Sequence, residues 1–313
     1  MIDLLVPLSL SFGIKFMWDI LNYDSIRLKF KRLELENYKI KQVTKKDYGH
    51  ELIIEVLEGG SFEELENMTP IFNKMYSCKT YVYNVEYTNK VRADLVHKVK
   101  DISYIKKSIP STQLIVGYNY KLEPITINMK ITPHVGVVGL SNNGKTKCIE
   151  QMLNNLDNVT IDIVNAMEND YKYIKGNRIN GEDNIIDYFY YLTHGEEVFS
   201  EPHYVVIDEY NLLSHIKGIE DIISDLLRQA RHRNIYIILI AQQLQLEYCS
   251  FRDLFNTRIC FRQLNKQAIY SFLGQTVENT NLKQREFILL HQKLEYGKTY
   301  VIKCWQLLEI SIE

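Results

Sequence analysis

The sequence predicts an α/β fold in which a mainly parallel sheet is covered by helices, preceded by a small α+β domain. Three observations support this prediction. From residue 131 onward, near-continuous apolar runs alternate with stretches of helical periodicity, a pattern typical of parallel strands buried on both faces. A glycine-containing loop follows the first of these runs and opens a helical stretch. The preceding residues contain strand-like and helix-like segments without that regular alternation.

The core domain is expected to span residues 129–313. Its expected strands are HVGVVGL, VTIDIVNA, HYVVIDEY, NIYIILIAQQ and TRICFRQL, and its expected helices are GKTKCIEQMLNNL, NIIDYFYYLTH and IEDIISDLLRQARHR. Strands that alternate with helices in this way indicate a parallel sheet with helices on both faces. This domain is therefore interpreted as the α/β core of a nucleoside triphosphatase.

The small α+β domain is expected to span residues 33–128. The segments HELIIEVLEGG and TYVYNVEYTN are rich in β-branched and aromatic residues and end in Gly or Asn, as strands do. Between them, SFEELENMTPIFNKMYS begins with a capping box formed by Ser61 and Glu64 and predicts a helix. The segment TQLIVGYNYKLEPITINM predicts a hairpin that leads to the core domain, with the boundary near residues 124–132.

Composition excludes several classes of protein. The chain has 313 residues, of which 46% are hydrophobic and 24% are charged, and its net charge is −2. This balance is typical of a globular protein and excludes one that coats nucleic acid through a strongly basic surface. The five cysteines are scattered without a C-x-x-C pair, so a zinc site and a disulfide scaffold are not expected, and a reducing cytoplasm fits.

The N-terminal segment, residues 1–32, allows two interpretations. Residues 4–21 are apolar, but Pro7, Lys15 and Asp19 interrupt them, and a spanning helix needs about 20 predominantly apolar residues. The segment is either a helix that packs or contacts another subunit, or a membrane anchor. The basic stretch RLKFKR that follows would suit the cytoplasmic flank of an anchor.

A phosphate-binding loop is the strongest motif in the chain. GLSNNGKT matches G-x-x-x-x-G-K-[ST] between a predicted strand and a predicted helix. The glycines let backbone N–H groups converge on phosphate oxygens, Lys145 reaches the β- and γ-phosphates, and the Thr146 hydroxyl binds Mg²⁺. The predicted ATP-binding residues are Gly139, Leu140, Ser141, Asn142, Asn143, Gly144, Lys145, Thr146 and Lys147.

Acidic and amide residues follow two later strands. Asp208 ends the strand YVVI and is expected to hold Mg²⁺, and Glu209 is expected to activate water as a general base. Adjacent Asp and Glu favour ATP hydrolysis over a GTPase-like switch, whose water is positioned by Gln. Gln242 ends the strand IYIILIA and either senses the γ-phosphate or satisfies backbone groups at the strand end.

Four segments together resemble the FtsK/SpoIIIE DNA translocases of the HerA–FtsK superfamily. They are ITPHVGVVGLSNNGKT, PHYVVIDEYNLL, LLRQARHRNIYIILIAQQ and LFNTRICFRQLNKQAIYSFLG. Their order and spacing match the family over roughly residues 115–275, and they place Gln242, Arg231 and Arg258 on family positions. Two departures are the segment IVNAMEND, where the family has Asp-Pro-Lys, and IAQQLQ, which lacks the family's Arg after the sensor Gln.

The resemblance implies a RecA-like core, ATP and Mg²⁺ as cofactors, and a hexameric ring threaded by double-stranded DNA. It also implies hydrolysis at subunit interfaces, where Arg231, with Arg258 as a second candidate, would act on the nucleotide of the neighbouring subunit. A guanidinium at that position stabilises transition-state charge. The alternative for RQARHR, residues 228–233, is a basic helix end that complements its own dipole.

Three functions remain open from the sequence. The first is an ATP-driven double-stranded DNA translocase of a mobile element, cytoplasmic or membrane-associated through residues 4–21. The second is a viral genome-packaging ATPase, which implies a pentameric ring and a portal partner. The third is a nucleotide-gated interaction module that hydrolyses ATP slowly, although the presence of both Asp208 and Glu209 disfavours it.

Overall fold

The computed structural model describes residues 25–101, 103–244, 251–275, 277 and 281–291, together with the backbone of 293–298. The chain divides into two compact units, Met1–Lys100 and Asp101–Glu313. The smaller unit is an α+β fold, and the larger unit contains the phosphate-binding loop.

The smaller unit is built on an antiparallel sheet with strand order β1-β2-β4-β3. Its elements are α1 (25–31), β1 (Tyr38–Lys46), β2 (Gly49–Val56), α2 (Phe62–Asn67), α3 (Thr69–Tyr76), β3 (Lys79–Val85) and β4 (Lys90–Val96). Leu52 and Ile54 of β2 are buried and pack with Leu65 and Phe72 of the helices, whereas the intervening Ile53 is only half-buried. One face of the sheet therefore carries the core of this unit.

The predicted capping box forms only in part. The Ser61 hydroxyl accepts a hydrogen bond from the Glu64 backbone N–H at 3.1 Å, as expected of an N-cap. The Glu64 carboxylate instead accepts a hydrogen bond from the Tyr38 hydroxyl, and the same hydroxyl accepts the Ser61 N–H at 2.8 Å. A long-range partner therefore replaces the local one. The predicted helix is also divided at Met68, where the second helix starts with Pro70 in its first turn.

The larger unit is built on a mixed sheet with strand order β6-β5-β14-β13-β12-β7-β11-β10-β8-β9. Its elements are β5 (Gln113–Tyr118), β6 (Pro124–Asn128), β7 (His134–Val138), α4 (Lys145–Asn154), β8 (Thr160–Val164), β9 (Asn177–Ile179), α5 (Glu182–His194), β10 (His203–Ile207), α6 (Tyr210–Leu213), α7 (Ile219–Gln229), β11 (Ile235–Ala241), β12 (Thr257–Phe261), α8 (Lys266–Leu273), β13 (Glu286–His291) and β14 (Lys293–Lys298). Strands β12, β7, β11, β10, β8 and β9 run parallel, and the remaining pairs are antiparallel.

Helices cover both faces of this sheet. Side chains of α5, α7 and α8 pack on one face together with Val138, Val205 and Ile207. Side chains of α4 pack on the opposite face together with Val137 and Val206. Successive strand residues thus enter opposite layers, which explains why the strands are apolar throughout. The predicted α/β architecture is confirmed.

The hairpin of β5 and β6 belongs to the larger unit, which corrects the expected boundary. Sequence analysis assigned residues 113–128 to the small domain, whereas the chain divides between Lys100 and Asp101. The physical reason is burial, since Leu114 and Ile127 pack with residues of α4 in one core. The Cys148 thiol also contacts the Val116 carbonyl oxygen at 3.4 Å.

The apolar segment 4–21 lies outside the described residues, so the choice between a contact helix and an anchor stays open. In the adjoining helix α1, Ile26 and Phe30 are buried in the core of the smaller unit. Among the residues that the structure describes, none of the helices has the length and hydropathy needed to cross a membrane.

Candidate nucleotide-binding site

Three neighbouring strand ends define the site. Residues Val138 of β7 and Ala241 of β11 lie opposite each other in the sheet, as do Ile207 of β10 and Leu239 of β11. Since parallel strands end at the same edge, the residues that follow them, Gly139, Gln242 and Asp208, are brought to one edge of the sheet. This edge is where α/β proteins bind ligands.

The phosphate-binding loop has the predicted strand–loop–helix context. Helix α4 begins at Lys145, directly after Gly144, whose φ of 98° is in the left-handed region. Asn142 also has a left-handed φ, of 62°. The N-cap residue of α4, Gly144, has no side chain with which to cap the first N–H groups of the helix. A helix start of this kind is suited to an anion.

The Lys145 side chain bonds to the loop in which it is expected to bind phosphate. Its Nζ donates to the Gly139 carbonyl at 2.7 Å and to the Leu140 carbonyl at 3.2 Å, and the side chain is buried. Burial lowers the pKa of Lys145, while the nearby charges of Glu209 and Asp208 act in the opposite direction. Loop carbonyls and nearby carboxylates therefore compensate the charge of this buried ammonium.

Distant segments support the loop from outside. The Leu140 N–H donates to the Arg262 carbonyl at 3.0 Å. From the start of β13, the Gln284 side-chain amide donates to the Asn142 carbonyl at 2.9 Å, and the Arg285 N–H donates to the Asn143 carbonyl at 3.1 Å. Sequence analysis missed these contacts, because no local pattern connects residues so far apart.

Within the predicted ATP-binding segment, residues 139–147, the side chains differ in exposure and in hydrogen bonding. Ser141 and Asn142 are exposed, and Thr146 is half-buried in the first turn of α4. The Asn143 amide donates to the Leu140 and Ser141 carbonyls at 3.3 and 3.0 Å and so closes the loop on itself.

The Lys147 ammonium is paired within its own helix. Its Nζ donates to both carboxylate oxygens of Glu150, at 2.9 and 2.7 Å. Glu150 also accepts the Tyr171 backbone N–H at 2.7 Å. Burial raises the pKa of Glu150, and the Lys147 charge partly offsets this. Lys147 is thus available to a nucleotide through its backbone N–H, not through its ammonium.

Asp208 is buried at the end of β10. Its Oδ1 accepts the Glu209 backbone N–H at 2.9 Å. Burial raises the pKa of Asp208 to about 6, and the Glu209 N–H and the adjacent Tyr171 hydroxyl act to lower it. A hydroxyl and a carboxylate are the hard oxygen donors that Mg²⁺ prefers, so Thr146 and Asp208 fit the ion predicted from the sequence.

Glu209 has a strained backbone. Its φ and ψ are 45° and 50°, in the left-handed region, where a non-glycine residue costs of order 1–3 kcal/mol. The Asn165 side chain at the end of β8 donates to the Asp208 carbonyl at 3.1 Å and to the Glu209 carbonyl at 3.5 Å. The segment that departs from the family pattern after β8 therefore stabilises this turn. Strain that is held in place beside a nucleotide motif is typical of functional residues.

The backbone at Gln242 is fixed by two other amides. The Asn211 side chain accepts the Gln242 N–H at 2.8 Å and donates to the Gln243 carbonyl at 3.1 Å. Gln263 donates to the Gln242 carbonyl at 3.1 Å. Because these neighbours satisfy the strand end, the exposed Gln242 side chain is not needed for that purpose. This arrangement favours the interpretation of Gln242 as a γ-phosphate sensor.

The basic segment after α7 contains one buried arginine, Arg233, and one exposed arginine, Arg231. Residues Ala230–Arg233 form a 3-10 turn. Arg233 is buried and donates to the carbonyls of Glu197, at 2.8 Å, and Leu192. Arg231 is exposed, so its guanidinium faces solvent from a turn that Arg233 holds in place.

Arg258 is engaged by its own chain. Its guanidinium donates to the Phe255 and Phe272 carbonyls, both at 2.9 Å, and to the Asp253 carboxylate at 3.0 Å. Its side chain is only 11% exposed. Three N–H groups of Arg258 therefore bond within its own chain, and the second arginine acting on a neighbouring subunit stays a prediction.

Comparisons with known proteins bear on the fold. Neither a protein-family model nor a curated protein matches the chain. The solved pCW3 conjugation coupling protein TcpA, a monomer form with ATPgS, is 16% identical with a TM-score of 0.57, covering 90% of this chain and 96% of TcpA.

Two further solved structures are also similar. Thermomonospora curvata EccC (ATPases 2 and 3), bound to a signal sequence peptide, is 12% identical with a TM-score of 0.51, covering 83% of this chain and 53% of EccC. EssC (ATPases 2 and 3) from Geobacillus thermodenitrificans is 10% identical with a TM-score of 0.51, covering 65% of this chain and 47% of EssC. These similarities confirm the RecA-like P-loop ATPase fold.

Gly139 provides a test of the close packing behind the loop. A methyl group at Gly139 would lie 2.6 Å from the Phe261 Cβ, so Gly139→Ala must displace the loop or β12. We expect about 1–3 kcal/mol of destabilisation and a loss of nucleotide affinity of tenfold or more. Thermal unfolding and equilibrium binding of a fluorescent ATP analogue measure both. Gly218→Ala is the control, since φ there is +82° with nothing within 4 Å; it should cost stability alone, and equal affinity losses in the two variants would contradict the account.

Asp208 provides a pH test. Burial raises its pKa from the ordinary value of 3.8 to about 6 in the folded chain, so the folded state binds the proton more tightly. The stability that protonated Asp208 contributes to the folded state is fully present below about pH 4, and it is lost as the pH rises through about 6. Without Mg²⁺ and nucleotide, Asp208→Asn should therefore be more stable than wild type at pH 7.5, by on the order of 1–3 kcal/mol, and nearly equal at pH 4. Chemical denaturation at several pH values checks this. A difference that does not change with pH would be contrary to the expected burial.

Proposed function

We propose that this chain hydrolyses ATP at the Lys145 site and uses the energy to move double-stranded DNA for a mobile element. The observation that carries the enzymatic part is the convergence of Lys145, Asp208 and Glu209. The charges of both carboxylates act on the buried ammonium. A nucleotide-gated module with no need for turnover would not require a buried acid and a strained acid at one strand end.

The roles follow from the geometry. The loop N–H groups and Lys145 would bind the β- and γ-phosphates, and Thr146 and Asp208 would hold Mg²⁺. When bound, Mg²⁺ neutralises developing charge on the phosphate oxygens. Glu209 would accept a proton from the water that attacks the γ-phosphorus as the bond to ADP breaks. Gln242 follows β11, the strand that lies between β7 and β10 in the sheet, and it would sense the γ-phosphate.

Arg231 is proposed to complete the site of a neighbouring subunit in a ring, most simply a hexamer. Its guanidinium is exposed on a turn anchored by Arg233. An arginine supplied by a neighbour stabilises the transition state and couples hydrolysis to subunit contacts. In a ring, a few basic residues that each subunit presents to the DNA are multiplied by the number of subunits, so a chain with a net charge of −2 can still hold DNA phosphates.

Double-stranded DNA is proposed as the partner on the basis of the four segments that resemble FtsK/SpoIIIE translocases. The fold match to a conjugation coupling protein over 90% of the chain supports a role in a mobile element. We propose a cytoplasmic location, with membrane association through residues 4–21 as the alternative.

The experiment that tests the proposal is steady-state ATP hydrolysis by the full chain, with and without linear duplex DNA. We expect hydrolysis that requires Mg²⁺ and is stimulated severalfold by duplex DNA. Hydrolysis that DNA leaves unchanged would support the nucleotide-gated module instead, and no ATP binding would remove the function altogether.

A substitution at Glu209 should separate ATP binding from ATP turnover. Glu209→Gln keeps the size of the side chain but removes the base, so ATP affinity should stay within about threefold while turnover falls at least 100-fold. Nucleotide binding and single-turnover hydrolysis measure the two separately. Glu66→Gln is a matched control, since Glu66 is exposed in the smaller unit, and it should retain turnover. Normal turnover by Glu209→Gln would remove Glu209 from the mechanism.

Arg231 is tested by mixing subunits. Arg231→Ala alone should bind ATP and lose most of its hydrolysis, because it cannot complete the neighbouring site. Addition of Lys145→Ala subunits, which retain Arg231 but are inactive themselves, should restore part of the hydrolysis. Arg228→Ala is the control, since Arg228 is exposed and pairs with Asp225 at 3.0 Å. The trans role is wrong if mixing restores nothing.

A further inference from the structure

Arg285 is an arginine beside the phosphate-binding loop that no motif identifies. Its backbone N–H is bonded to the Asn143 carbonyl, and the preceding Gln284 is bonded to Asn142. Its side chain continues over Gly144, where a methyl group would lie 3.3 Å from the Arg285 Cγ. The loop and this side chain are therefore in direct contact at the residue that precedes Lys145.

The guanidinium of Arg285 is incompletely paired. Its side chain is 18% exposed, and its Nη2 lies 3.5 Å from the Asp101 carboxylate, which is 58% exposed. Its Nη1 is buried and has no hydrogen-bond partner among the described residues. The backbone of Arg285 is also in the left-handed region, with φ at 70°. Both features carry an energetic cost, because buried charged donors normally have acceptors and non-glycine residues normally avoid this conformation.

From these contacts we propose that Arg285 is a further nucleotide-binding residue, which donates to the phosphate chain of the ATP bound by its own subunit. The inference rests on the proposed ATP binding at the Lys145 site. A phosphate oxygen is an acceptor suited to a guanidinium, and the loop places phosphate next to Gly144. Asp101 then acts as the partner of the guanidinium in the absence of nucleotide.

A purely structural ion pair is the competing explanation, and it predicts a different result. If Arg285 only ties Asp101 to the loop, loss of either partner should have the same effect. If Arg285 binds phosphate, loss of Arg285 removes a contact with ATP, whereas loss of Asp101 removes a competitor for the same guanidinium.

The experiment measures ATP affinity, in the presence of Mg²⁺, for the full chain and three variants. Arg285→Gln should weaken binding by about tenfold to a hundredfold, since a charge-assisted hydrogen bond is lost while the aliphatic stem over Gly144 is kept. Arg285→Lys should fall between Arg285→Gln and wild type. Asp101→Asn should bind ATP as tightly as wild type or up to several times more tightly. Thermal unfolding without nucleotide verifies that each variant folds.

Equal affinity of wild type and Arg285→Gln overturns the inference and leaves the proposed function intact. Equal weakening by Arg285→Gln and Asp101→Asn also overturns it, in favour of the structural pair. A wild type that does not bind ATP overturns both the inference and the proposed function. If Arg285→Gln does not fold, the Asp101→Asn result decides, since weaker ATP binding there contradicts competition for Arg285.

Discussion

The buried ammonium of Lys145 is the feature on which the rest of the site depends. It is held by the Gly139 and Leu140 carbonyls inside the loop, and two carboxylates at the end of a neighbouring strand act on it through their charge. A charge removed from water is costly unless its surroundings compensate it. The packing of β12 behind Gly139 and the bonds from Gln284 and the Arg285 backbone keep those surroundings in place. The loop is thus preorganised for phosphate before the nucleotide arrives.

A set of asparagine side chains connects the strand ends around this charge. Asn165 joins the end of β8 to the strained turn at Glu209, and Asn211 joins the helix after that turn to the backbone of Gln242 and Gln243. The residues proposed as base and sensor are therefore linked through one short helix, α6.

Local patterns predicted those parts of the protein in which the determining residues are adjacent in sequence. The loop, the acidic pair and the alternating strands are of this kind, because each motif and its strand or helix form one continuous segment. The supports of the loop are different, since Gln284 reaches Asn142 across 142 positions. Likewise, RQARHR contains arginines of equal charge, and only tertiary burial distinguishes the anchor Arg233 from the exposed Arg231. The hairpin of β5 and β6 was assigned to the wrong unit because a hairpin has the same pattern in either sheet.

Displacement of a third strand from duplex DNA tests the central claim most directly. The full chain is incubated with a triplex, with and without ATP, and Glu209→Gln serves as the matched protein that should bind nucleotide without turnover. The account predicts displacement by wild type only when ATP is present, and none by Glu209→Gln. A wild type that hydrolyses ATP at a normal rate on the same duplex but displaces no third strand would contradict it.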